Sequence, residues 1–81
     1  MTTAPHEALQ DILRLYVLGL LGQGPGFRTA RVPAKRRQTL RELALRCGGK
    51  PLRGCPDTVN FTIDNFCYQI RGEGITRTGE L

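Results

Sequence analysis

One run of residues restricts the possible folds of this chain more than any other: Thr58-Val59-Asn60-Phe61-Thr62-Ile63-Asp64-Asn65-Phe66-Cys67-Tyr68-Gln69-Ile70-Arg71. Val59, Phe61 and Ile63 alternate with polar residues, and so do Phe66, Tyr68 and Ile70. A period of two marks a strand with one buried face. Asp64-Asn65 between the two halves suits a two-residue turn, because both residues tolerate positive φ. Folding there pairs Ile63 with Phe66, Phe61 with Tyr68 and Val59 with Ile70. All six then share one face, while Asn60, Thr62, Cys67 and Gln69 take the other. The richness in Thr, Val, Phe, Ile and Tyr also favours strands.

The same residues admit a second reading. Val59, Ile63, Phe66, Cys67 and Ile70 lie on one helical stripe, which runs into Ile70-Arg71-Gly72-Glu73-Gly74-Ile75. From Thr62 to Ile75 this loosely resembles the third helix and wing entry of winged helix-turn-helix domains, where an apolar stripe leads to a Leu-Arg-x-x-Gly-Ile type ending. The resemblance implies a recognition helix over these residues. Asp57 and Asp64 on such a helix would repel phosphate, and the connection after Cys47 is long for the turn. The helix also leaves Phe61 and Tyr68 on its polar side, whereas the hairpin uses both. The hairpin is the expected structure and the winged domain the alternative. Gly72-Glu73-Gly74 reads as a further turn, with Ile75 to Thr78 as a short edge strand.

Upstream, residues 5–21 read as a helix. Thr3 can act as N-cap, Pro5 sits in the first turn, and Glu7 and Asp11 favour the positive end of the dipole. Leu9, Ile12, Leu13, Tyr16, Val17 and Leu20 form one stripe opposite Glu7, Gln10, Asp11 and Arg14. Leu15, Leu18 and Leu21 make the second half apolar nearly all round, and such a helix wants burial on more than one face. It is read first as the central helix of a small core, and second as a homodimer seam or partner-docking face. Gly22 to Gly26 is a linker rather than a phosphate loop, because it follows a helix and no Lys-Ser/Thr comes after it. Phe27 to Val32 is a short strand stopped by Pro33. A second helix spans 34–47, burying Leu40, Leu43, Ala44 and Cys47. Thr39 and Glu42 have capping-box spacing, so a start at Leu40 is the other possibility, which would leave Lys35-Arg36-Arg37 as a mobile basic arm. Gly48-Gly49 supplies a left-handed stop, and Lys50 to Asp57 reads as a loop. The expectation is a single α+β domain over residues 1–81, with two helices packed on a small C-terminal antiparallel β-hairpin or three-stranded meander.

Charge is concentrated in the middle of the chain. Of a net charge of +5, the segment from Arg28 to Arg53 holds Arg28, Arg31, Lys35, Arg36, Arg37, Arg41, Arg46, Lys50 and Arg53 against the single acid Glu42. Arginine grips phosphate through two parallel N–H bonds and lysine adds a mobile point charge. Phe27 is the only aromatic nearby, so the pattern favours backbone contact over base stacking. The expected partner is nucleic acid or a nucleoprotein complex, bound without catalysis. The alternatives are an acidic protein surface, or a solvated basic face with no partner. In size and charge the chain is comparable to small phage-encoded inhibitors such as anti-CRISPR proteins, which would make it an inhibitor or adaptor acting by surface occupation.

Other functions find little support. The chain has no serine, and its one histidine, His6, lies at the start of the first helix. Asp57, Asp64, Glu73 and Glu80 offer no acid–base pair. Cys47, Cys55 and Cys67 lack C-x-x-C spacing, so neither zinc nor another cofactor is expected. The N-terminal residues carry acids and no basic n-region, and Leu15 to Leu21 is far shorter than the ~20 residues a bilayer span requires. A cytoplasmic protein with reduced thiols and no membrane partner is the reading that follows.

Overall fold

The computed structural model describes residues 5–22 and 28–81. The expected N-cap Thr3, the linker from Gln23 to Gly26 and Phe27 lie outside them, as does the side chain of His6. Two helices and five strands follow in the order α1 (Pro5–Leu21), β1 (Arg28–Arg31), α2 (Ala34–Arg46), β2 (Lys50–Leu52), β3 (Cys55–Ile63), β4 (Phe66–Arg71) and β5 (Gly74–Glu80). All strands join one antiparallel sheet in the order β1-β5-β4-β3-β2.

The α+β class and the hairpin stand. Val59 faces Ile70, Phe61 faces Tyr68 and Ile63 faces Phe66, and the Phe61 and Tyr68 rings stack with centroids 5.3 Å apart. Residues 58–71 are therefore strands, which overturns the winged helix-turn-helix alternative. The sheet is larger than a C-terminal hairpin or meander. Lys50–Leu52, expected in a loop, is an edge strand on β3. The tail strand is longer than expected and is no edge, because β1 pairs along its outer side.

That pairing explains the architecture. β1 and β2 occupy opposite edges, and α2 is the connection between them. Four inter-strand gaps of about 4.8 Å make a sheet ~19 Å wide. The 13 residues of α2 reach ~20 Å at 1.5 Å per residue. The helix is thus long enough to carry the chain from one edge to the other.

Cross-strand register divides the sheet into two faces. Rows Ala30–Ile75–Ile70–Val59–Pro51, Arg28–Arg77–Tyr68–Phe61 and Glu80–Phe66–Ile63 lie on the helix side. There Val59, Phe61, Ile63, Tyr68, Ile70 and Ile75 join Leu13, Val17 and Leu21 of α1, Leu40, Leu43 and Ala44 of α2, and Val32 in one buried cluster. Fully burying one such aliphatic side chain is worth about 1.5–3 kcal/mol. Of the charged residues in these rows Arg77 is the buried one, 3% exposed, with its guanidinium 4.5 Å from the centroid of the Phe66 ring.

Helix α2 begins at Ala34, not Leu40, so Lys35, Arg36 and Arg37 form its first turn rather than an arm. Pro33 is the N-cap and makes no side-chain cap bond, and the Thr39–Glu42 capping box is not used. Its end matches expectation. Gly48 at φ 95° donates to the Leu45 carbonyl and Gly49 donates to the Ala44 carbonyl, the paired bonds of a Schellman stop. Cysteines 47, 55 and 67 are all free thiols. Burial pushes the Cys47 thiol above its ordinary 9.0.

Candidate nucleic-acid interface

Neither α1 nor α2 packs on the other sheet face. Its central row crosses all five strands as Thr29–Thr76–Gln69–Asn60–Lys50. The hydroxyls of Thr29 and Thr76 lie 3.1 Å apart, and Gln69 Nε2 donates to Asn60 Oδ1 at 3.0 Å. One row over, Gly74 stands between Arg31 on β1 and Arg71 on β4. With two strand gaps between them, those arginines start about 10 Å apart, and glycine puts no side chain in the space. On the other flank are Cys67 and Thr62, paired with each other. The register shift at Cys67/Tyr68 leaves a hollow of ≈ 430 Å³ there, lined in part by Lys50, Asn60, Thr62, Cys67 and Thr78.

No carboxylate occupies any of these rows. Glu73 in the β4–β5 turn lies 3.6 Å from Arg31 Nε and 3.9 Å from Arg37 Nη2. Arg31 and Glu73 are both largely solvent-exposed, so this pairing contributes little and is readily exchanged for another anion. Thr, Asn and Gln side chains can donate to phosphate oxygens beside the arginines.

The nine cations of the central segment do not form one surface. Arg28 and Arg31 lie on one edge strand. Lys50 on the other edge strand and Arg53 in the turn beyond it mark the opposite side. Between these, α2 holds Lys35, Arg36, Arg37, Arg41 and Arg46 on the helix layer.

Several of them serve the fold. Arg28 Nη1 donates to the Leu21 carbonyl at 3.4 Å, and Arg37 Nε to the Val32 carbonyl at 3.1 Å. The Arg36 guanidinium lies over the Tyr16 ring at 5.7 Å. Arg41 donates to Gln38 Oε1 while its Nε is buried without a hydrogen-bond partner. Arg37 and Arg41 are half-buried, and the other seven, Arg28 and Arg36 included, are exposed.

Sequence reasoning missed Arg71. It shares strand parity with Cys67 and Gln69, so its place on the polar face followed from the hairpin alone. Its nearness to Arg31 did not, because that depends on β5 lying between β4 and β1.

The possible partner-face leucines also separate. Leu15 is 72% exposed, Leu18 is half-buried, and Leu21 is in the core. Ile12, expected in the buried stripe, is 46% exposed. The stripe is centred instead on Leu13, Val17 and Leu21. Arg14 leaves this helix to hold the β3–β4 turn. Its Nε and Nη2 each lie 3.2 Å from a carboxylate oxygen of Asp64, and its Nη1 donates to Asp11 at 2.6 Å. The bonds to Asp64 and then Asp11 raise its pKa further.

Among the described residues no group of three or more His, Cys, Asp or Glu side chains is placed to hold a metal, and no helix is long and apolar enough to cross a membrane. Compared with known proteins, the chain matches no family model, no curated sequence and no solved structure.

Proposed function

We propose that this chain is a non-enzymatic binding module that lays its uncovered sheet face against a nucleic-acid backbone. The observation that carries the reading is the composition of that face. Arg31, Arg71 and Lys50 are its charges, Thr, Asn and Gln its neutral donors, and no carboxylate interrupts its rows. A basic surface with hydroxyl and amide donors offers phosphate contacts from several directions at once. Among the described residues the aromatics that border this face, Phe61 and Tyr68, are buried, so bases find no exposed stacking platform there. The binding is therefore of the positioning kind, tolerant of sequence.

The test is fluorescence anisotropy with a labelled duplex and a labelled single strand over a salt series. Three phosphate contacts predict a slope of log K against log salt of about −2.7 on duplex DNA. Replacing Arg31, Lys50 and Arg71 with alanine should abolish most of that slope. Replacing Lys35 and Arg46 on the helix side should leave it nearly intact. Absence of wild-type binding at low salt, or a larger loss from the helix-side pair, would refute the reading.

A further inference from the structure

The opposite side of the molecule has a different character. Its helices run antiparallel, since Ile12 of α1 lies by Thr39 to Arg46 of α2 while Leu15 to Leu20 lie by Pro33 to Arg36. Between them runs a groove made of two hollows, ≈ 460 Å³ and ≈ 240 Å³, which meet at Tyr16. Its apolar lining is solvent-facing: Ile12 and Leu15 are the two most exposed large apolar side chains of the helices. Among the described side chains of α1 the exposed positions are Ala8, Asp11, Ile12, Leu15 and Gly19, so Asp11 is the one charge among them on a face that should be polar in a helix with nothing over it. That charge is engaged by Arg14.

We infer that this groove receives an acidic amphipathic helix of a partner protein. The apolar floor calls for side chains at i, i+3 or i+4, and i+7 on the incoming element, the recurring helix-in-groove arrangement. The rim sets its charge. Lys35 and Arg36 border the larger hollow and Arg46 the smaller, against the single carboxylate of Glu42, which accepts a hydrogen bond from Gln38. Carboxylates on both flanks of the incoming helix would complete the site.

The same rim disfavours a second copy of this chain. A two-fold dimer places one patch against itself, which would bring the Lys35, Arg36 and Arg46 groups of both protomers together with few acids between them. The inference is independent of nucleic-acid binding, since it uses the other face. Together the two faces describe a module that bridges an acidic protein to a nucleic-acid backbone.

The experiment is a display selection of amphipathic helical peptides on the full chain, with the Leu15→Glu variant as the counter-target. Leu15 is mostly exposed, so that variant should fold. Circular dichroism checks this, and Leu15→Ala provides a milder second variant. The expected result is enrichment of net-negative helices with apolar residues at the stated spacing. Their affinity, read by anisotropy, should fall about tenfold or more with Leu15→Glu. Affinity should also fall with Lys35→Glu, and stay unchanged when Arg31, Lys50 and Arg71 are replaced. Three results would overturn the inference. One is no Leu15-dependent enrichment, and another is a neutral or basic consensus. The third is a wild-type dimer in sedimentation equilibrium that Leu15→Glu dissolves, since the occupant would then be a second copy.

Discussion

The two glycines that end α2 should respond to the same substitutions for different reasons and to different extents. Gly48 has φ 95° and open space where a Cβ would stand, so alanine there meets only backbone strain. A left-handed conformation costs an L-residue roughly 1–2 kcal/mol, and reduced freedom of the unfolded chain returns about 0.4–1. The net loss for Gly48→Ala is about 1 kcal/mol. Gly49 lies outside the left-handed region, but a Cβ there would stand 2.7 Å from the Ala44 carbonyl oxygen and 3.2 Å from Phe61 Cβ. The carbonyl cannot retreat without lengthening the 2.8 Å bond it accepts from Gly49 itself. Overpacking of this kind costs about 1–3 kcal/mol, and the weakened hydrogen bond adds about 1. Gly49→Ala should therefore lose about 2–4 kcal/mol before the same unfolded-chain return of about 0.4–1, leaving about 1–3.5 net, or ~5–25 °C in Tm for a domain of this size. Urea unfolding followed by circular dichroism reads both, with an unchanged m value as the check that the folded state is the same. Gly48→Asn should recover most of the loss at 48, because asparagine accepts the left-handed region, and Gly49→Asn should recover nothing. If Gly49→Ala is the milder change, or asparagine rescues both, the account of how α2 stops against the sheet is wrong.

At the β3–β4 turn, Asp64 alone among the described non-glycine residues has positive φ, at 56°. Asp64→Asn keeps that tolerance and removes the Arg14 pair, so thermal stability should fall by ~0.5 kcal/mol at low salt and by less at high salt. Asp64→Val should cost more in both, because a β-branched residue is strained there. For the thiols, iodoacetamide mapping by mass spectrometry at pH 8 should label exposed Cys55 first and Cys47 last, since Cys47 is half-buried with a raised pKa. The raised folded value means the unfolded chain loses the Cys47 proton first. Its contribution is therefore complete below pH 9.0, the ordinary thiol value, and lost as pH rises through the folded one. Cys47→Ala should flatten the decline of stability measured by urea titration between pH 8 and ~10.5.

Much of the local structure is legible in the sequence. The three cross-strand pairs of the β3–β4 hairpin, the span of α1 and the glycine stop of α2 all follow from spacing and turn chemistry within a few residues. The positive φ of the turn is a smaller case, since Asp64 takes it while Asn65 does not. Two elements were hidden for different reasons. β2 is three residues with Pro51 in the middle, too short to alternate and tolerable only at a sheet edge. The central place of β5 depends on pairing Thr29 with Thr76 and Ala30 with Ile75 across almost the whole intervening chain, which no local pattern specifies. The candidate site inherited that limit. A run of nine cations looked like one surface because they are neighbours in sequence, yet α2 carries the chain between opposite edges and parts them. Charge density also could not separate arginines that hold the fold, such as Arg37 on the Val32 carbonyl, from those facing solvent.

The proposed nucleic-acid contact is tested most directly by titrating ¹⁵N-labelled protein with a short duplex at low salt and following amide shifts by NMR. The account predicts the largest changes at Thr29, Thr76, Gln69 and Asn60 and at Arg31 and Arg71 beside them, with Ile12, Leu15 and Tyr16 undisturbed. Changes concentrated on α2 around Lys35 and Arg46, or none anywhere, would contradict it.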